Sequence, residues 1–145
     1  MGTHAASKTV RINLPADDVL AALRDIGNES TWWPGMFKSD VLETDAEGLV
    51  TKARIGNDVK IAKDEFDVAY VHGDSGYTWS LASKSSMQKS QDGSWEVKAA
   101  GAGACDATLA LEIDASLPLP GFVLSKTIKD TVNNATKGLQ KHLGG

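Results

Sequence analysis

The sequence predicts an α+β fold in which about seven antiparallel strands curve around one long C-terminal helix. Leu124, Ile128, Val132, Ala135, Leu139 and Leu143 recur at steps of 4, 4, 3, 4 and 4, which is one face of an α-helix in need of a concave partner. Nearly everything before that stripe alternates apolar and polar residues between clusters of turn formers, the mark of half-buried strands. The connections are too short for helical crossovers, so neighbouring strands pair antiparallel.

In chain order, Val10, Ile12 and Leu14 alternate with Arg11 and Asn13, and Pro15 stops that strand. Residues 1–6 read as a flexible tail before it. From Ala16 the spacing of Val19, Leu20, Leu23 and Ile26 is helical, with Asp17 and Asp18 in the first turn where the helix dipole favours carboxylates. This helix should end near Gly27. A second short helix is expected over Asn28 to Trp33, ended by Pro34, which pushes its predecessor out of αR geometry. Strands follow over Phe37 to Glu43, Leu49 to Ile55, Glu65 to His72, Gly76 to Ala82, Met87 to Ala99 and Cys105 to Ile113, separated by clusters such as Asp45-Ala46-Glu47-Gly48. Pro118, Pro120 and Gly121 introduce the final helix. Its outer face carries Lys126, Lys129, Lys137 and Lys141, a solvated face first and a contact for acidic partners or lipid headgroups second.

The whole chain of 145 residues is expected to form one domain with a real core. A net charge of −4 removes the footprint of a nucleic-acid binder. The single cysteine, Cys105, excludes an intrachain disulfide framework. No signal-type leader and no apolar run of spanning length are present, so the expected location is cytoplasmic, without stable membrane insertion. Met1-Gly2 fails as a myristoylation signal because Ala6 stands where Ser or Thr is needed. Asn28-Glu29-Ser30 and Asn134-Ala135-Thr136 match the glycosylation pattern by chance alone. His4, His72 and His142 are scattered, which leaves neither a metal-ligand spacing nor a Ser/His/Asp order. No cofactor and no particular protein partner is implied.

Alternation assigns faces. Cys105, Ala107, Leu109, Leu111 and Ile113 point inward; so do Phe66, Val68 and Tyr70, with His72 at the strand end, and Tyr77, Trp79 and Leu81 on the next strand. A turn centred on Lys84 would set Tyr77 opposite Gln91, Trp79 opposite Lys89 and Leu81 opposite Met87, allowing a cation–π contact. Arg54, between Ala53 and Ile55, and Glu65 and Asp67 fall on the outer face. A curved sheet gripping one helix leaves space between them. The candidate lining of that space is Trp33, Phe66, Tyr70, Tyr77, Trp79, Met87, Trp95, Leu109, Leu124, Ile128 and Val132.

The order of elements, with Trp32-Trp33-Pro34-Gly35, Tyr77-x-Trp79-x-Leu81, Gly93-Ser94-Trp95-x-Val97 and Pro118-Leu119-Pro120-Gly121-Phe122, resembles the START-like superfamily, also called SRPBCC. Over roughly residues 7 to 143 the chain is most similar to its polyketide cyclase/dehydrase and lipid-transport group. The resemblance implies a helix-grip fold with a hydrophobic cavity between sheet and helix. It also implies one of two activities: binding or transport of a lipid, polyketide or isoprenoid, or cyclisation and dehydration of a polyketone. Where relatives commonly open the last strand with Gly-Thr-x-Val-Thr-Tyr, this chain has Ala104-Cys105-Asp106-Ala107-Thr108-Leu109, which removes a hydroxyl from the expected cavity wall and favours apolar binding. A cyclase would need a positioned acid or base. Tyr70 and His72, with Arg54 to stabilise an enolate, are the candidates, although a histidine beside the Gly73 turn reads first as solvated.

Overall fold

In the computed structural model, which describes residues 2–58 and 62–144, the chain runs through β1 (Gly2–Ile12), α1 (Ala16–Arg24), a 3-10 helix (Ile26–Thr31), β2 (Met36–Thr44), β3 (Val50–Asp58), β4 (Lys63–His72), β5 (Gly76–Leu81), β6 (Gln88–Ala99), β7 (Cys105–Ala115) and α2 (Gly121–His142). The strands form one sheet in the order β1-β7-β6-β5-β4-β3-β2, and every neighbouring pair is antiparallel. Six strands follow one another by hairpins or short loops. β1 alone returns to the far edge beside β7, so α1 and the 3-10 helix carry the chain from one edge of the sheet to the other. α1 packs on β6 and β7, the 3-10 helix on β2, and α2 on β1 and β7.

The expected α2 face is the buried one: Leu124, Ile128, Val132, Ala135 and Leu139 point into the core, with Thr136 beside them. Thr136 is tolerated there because its hydroxyl donates to the Val132 carbonyl one turn back. The sheet alternates as the sequence predicts, with Cys105, Ala107, Leu109 and Leu111 inward on β7 and Phe66, Val68 and Tyr70 inward on β4.

Three expectations change. Residues 2–6 are not a tail: β1 begins at Gly2 and pairs with β7 as far as Ala115, while Met1 lies outside the described residues. The long β7 edge offers backbone partners to a segment too poor in large apolar residues to show a strand period. The second short helix starts earlier than expected, as the 3-10 turn over Ile26–Thr31. The register of β5 on β6 is shifted by four residues: Tyr77 faces Trp95, Trp79 faces Gly93 and Ser80 faces Asp92. The tight turn on Lys84 does not form, because Ser85 organises a longer loop by donating to the Asp64 carboxylate and accepting the Met87 and Gln88 amides. Met87 therefore sits in the loop, and among the described residues no lysine lies under Trp79. The bare face of Gly93 does, since a Cβ there would fall 2.1 Å from the indole ring.

α2 meets the rest of the chain most tightly at Gly138, where a Cβ would lie 2.2 Å from the Trp32 carbonyl oxygen. Gly138→Ala adds about 1 kcal/mol of helix propensity but forces backbone apart. The expected net result is a loss of about 1 to 3 kcal/mol, read as a lower urea midpoint at unchanged slope.

Candidate functional site

Rows of the sheet decide where the core is solid. At one end, His72, Tyr77, Trp95 and Leu109 lie opposite one another across β4, β5, β6 and β7. Tyr77 turns towards α1 and donates its hydroxyl to the Leu23 carbonyl, 2.9 Å away. Trp95 is packed edge-on by Trp32 and Trp33 at centroid distances of 6.1 and 6.4 Å. The next row, Tyr70, Trp79, Gly93 and Leu111, is where space opens. From there to the start of β4 and the end of β7 a hollow lies between the sheet and the N-terminal half of α2. It encloses about 110 Å³ open to the centre of a water-sized sphere, and about 910 Å³ of non-atom space with its mouth included.

Among the residues singled out in the sequence, Trp33, Phe66, Tyr70, Trp79, Met87, Leu124 and Ile128 border this hollow. Tyr77, Trp95 and Leu109 do not, because their row is filled by the Trp32, Trp33 and Trp95 rings and covered by α1. Val132 does not either, since it lies in the half of α2 that packs directly on its neighbours. Six lining residues keep partial exposure, Asn57, Met87, Ile113, Leu117, Thr127 and Thr131; the two threonines lie along the side of α2, and the other four cluster where β3 ends, β6 begins and β7 runs towards α2. That end is the mouth, and the Tyr70 row is the blind end.

Two kinds of polar group face the hollow. One is a connected ladder running from the Tyr70 row to the mouth: Trp79 Nε1 donates to Gln91 Oε1 at 2.9 Å, Gln91 Nε2 to Gln88 Oε1 at 2.9 Å, and Gln88 Nε2 to Asp64 Oδ2 at 3.4 Å. Asn57, paired with Asp64 in register, leaves its Oδ1 buried without a partner. Deeper in stands Glu29, which the sequence reading missed. Its side chain borders the hollow from the 3-10 helix, the residue is 4% exposed, and no hydrogen bond to its carboxyl is found among the described residues. Burial pushes its pKa up to about 8, because a charged carboxylate loses its water here and gains nothing in return. Tyr70 and Tyr77 are near enough to feel that charge; desolvation first, and Glu29 second, hold both phenols well above their usual range.

The residues named for catalysis do not converge. Arg54 points outward and binds Asp67 at 3.1 Å, with Glu65 at 3.6 Å. His72 is half-buried rather than solvated: its Nε2 donates to the Val50 carbonyl at 2.6 Å, its Nδ1 is buried without a partner, and it does not border the hollow. Tyr70 does, with no partner for its hydroxyl among the described residues. Cys105 is fully buried, and desolvation raises its thiol pKa, which leaves it inert. Among the described residues there is no cluster able to hold a metal ion and no helix long and apolar enough to cross a membrane.

The raised Glu29 pKa has a signed effect on stability. Between about pH 4.5 and pH 8 the folded state keeps a proton that the unfolded chain releases, so folding weakens as pH rises through that window, by roughly 4 kcal/mol at its upper end. Glu29→Gln should remove this loss: urea midpoints at pH 5 and pH 9 should differ much less in the variant, which should be the more stable protein at pH 9.

The geometry has close counterparts among solved structures. A START superfamily protein from Mycobacterium smegmatis superposes with a TM-score of 0.89 at 18% identity, covering 97% of each chain. The Zhui aromatase/cyclase from Streptomyces sp. R1128 gives 0.75 at 14% identity, over 97% of this chain and 91% of that one. A STAR-related lipid transfer protein from Xanthomonas axonopodis gives 0.71 at 20% identity, over 97% and 86%. At these identities they share the fold, and they include both a lipid transfer protein and an aromatase/cyclase. No curated protein matches the sequence. The family described as polyketide cyclase / dehydrase and lipid transport matches residues 3–144, nearly the whole chain, and this protein, with its helix-grip fold, belongs to that family.

Proposed function

We propose that this protein binds or carries a hydrophobic small molecule, a lipid, polyketide or isoprenoid compound, in the hollow between the sheet and α2, and does so in the cytoplasm. The observation that carries the reading is a hollow walled mainly by Phe66, Val68, Trp79, Leu111, Leu124 and Ile128 in a core that is otherwise solidly packed. A void of this kind is a cost to folding, because its walls forgo contacts they could have made. An apolar guest recovers them, and each methylene moved out of water adds ~0.8 kcal/mol. Specificity then comes from a few polar groups in an apolar wall, the usual composition of a small-ligand site. The lone buried thiol suits a reducing compartment.

A second reading, cyclisation or dehydration of a polyketone, is favoured by one observation: a carboxyl with a pKa near neutrality and a phenol, Glu29 and Tyr70, border the same hollow. Against it, His72 and Arg54, which would have completed an enolising site, lie elsewhere.

Native mass spectrometry of protein purified from its own host tests the reading directly. A defined small-molecule adduct is the expected result, and a clean apo mass under conditions that retain a known weak ligand would count against it. In titrations with the recovered compound, Trp79→Ala should weaken binding about ten-fold or more. His72→Ala and Arg54→Ala should stay within a few-fold of wild type, and loss of turnover on a polyketone in either variant would instead support the enzyme.

A further inference from the structure

An apolar wall alone does not explain Glu29. The residue sits on the blind side of the hollow, away from the mouth marked by Asn57, Met87 and Leu117, and its carboxyl has no hydrogen-bond partner among the described residues. Buried polar side chains are nearly always satisfied, and one that is not asks for a ligand or another reason to be there. The Tyr70 hydroxyl, also without a partner among the described residues, borders the same hollow and feels the Glu29 charge. The polar groups at the mouth, by contrast, are mostly spent on one another through the Gln91, Gln88 and Asp64 ladder.

We propose that the blind end of the hollow is a recognition site for a neutral oxygen acceptor, a ketone, ester or lactone carbonyl, on an otherwise apolar molecule that enters carbonyl first, with the Glu29 carboxylic acid donating the hydrogen bond and the Tyr70 hydroxyl beside it. This rests on the binding function proposed above and names its ligand class.

The charges around the hollow select this chemistry. Among the described residues its lining contains no Lys, Arg or His, so a fatty-acid carboxylate at the blind end would find no counter-ion among them and would face Glu29 with a second acid. An ammonium would require Glu29 to ionise, and burying both charges costs several kcal/mol for each ion. A carbonyl asks for neither. It needs one donor, and a carboxylic acid kept neutral by burial supplies a stronger one than an alcohol or amide. Of the titratable groups nearby, Tyr70 of β4 and Tyr77 of β5 feel the Glu29 charge; behind Tyr77 lie His72, with ring centroids 5.4 Å apart, and Arg24 of α1, whose Nη2 is engaged by the Gly73 carbonyl, while β2 and α2 contribute to the lining Met36 and Thr131, which do not titrate.

The test compares 2-nonanone with 2-methyl-1-nonene, which has the same shape but a methylene in place of the carbonyl oxygen, by tryptophan-fluorescence titration of the wild type, Glu29→Leu and Glu29→Gln. Glu29→Leu should lower ketone affinity relative to alkene affinity by about ten-fold, whereas Glu29→Gln, which keeps a donor, should hold that ratio within about three-fold. Ketone affinity of the wild type should fall by about ten-fold between pH 6 and pH 9.5 as the acid ionises, with no such fall in Glu29→Gln. An unchanged ratio in Glu29→Leu together with a flat pH profile would overturn the carbonyl site while leaving apolar binding standing. Binding of neither probe to the wild type would remove both readings. Nonylamine binding more tightly than the ketone would overturn the proposal by making Glu29 a counter-ion.

Discussion

The structure turns on how far one helix can settle onto one sheet. At its C-terminal half α2 comes down until its backbone meets Trp32, a contact possible only because position 138 carries no Cβ. Val132, Ala135 and Leu139 are fully buried there. Over its N-terminal half the helix keeps contact with β1, where Gly121 lies against His4, but Leu124 and Ile128 border a gap on the side of the sheet facing β4 and β6. A rigid helix pinned at one end over a twisted, curved sheet cannot touch it everywhere. The hollow follows from that geometry. The aromatic rings near the pinned end, Trp32, Trp33 and Trp95, then determine how much of it is filled, and Trp79 stays in the wall only because Gly93 leaves its ring somewhere to lie.

Polar groups inside such a core are informative according to whether they are satisfied. The Trp79, Gln91, Gln88, Asp64 and Ser85 chain is closed on itself: it holds the start of β6 and the loop before it in place, and a fully connected network of this kind adds rigidity at little cost. Glu29 belongs to no such network. Its neutral form is kept by burial alone, and a leucine or methionine at that position would pack a purely structural core better. An acid whose ionisation weakens folding is the residue that the proposed ligand site accounts for.

Most of the architecture is legible in the residues because each element shows its own period. The α2 stripe repeats at 3 and 4, and β4 and β7 alternate cleanly from Phe66 to Tyr70 and from Cys105 to Leu111. What is not legible depends on contacts between distant segments. The β5–β6 register is fixed by Ser85 binding Asp64, twenty-one residues away in sequence, and local turn statistics carry no trace of it. Glu29 was hidden for a different reason. Read at the α-helical period it falls among polar neighbours and looks like surface, whereas Ile26, Glu29 and Trp32 are spaced by three and are all buried, which is the face of a 3-10 helix. A search at that period, prompted by the Trp32-Trp33 pair that must be covered, would have placed the acid inside. The other site residues were partly legible: alternation put Tyr77, Trp95 and Leu109 on the correct face, but a face does not tell which row is solid and which is open.

The same placement bears on whether the hollow binds or reacts. Enolising and dehydrating a polyketone needs a proton taken from one atom and given to another, and so a base and an acid within reach of one substrate. The candidate acid is at the blind end. Tyr70 beside it is held well above its usual pKa and so remains a donor too. The other carboxylate facing the hollow, Asp64, stands six residues earlier on β4, about 20 Å along an extended strand, and is already engaged by Ser85 and Gln88. Two donors at one end and a committed acceptor at the far end suit holding a molecule in one orientation better than moving its protons. The distribution of polar groups, more than the size of the hollow, is what supports the proposed carrier over the catalyst.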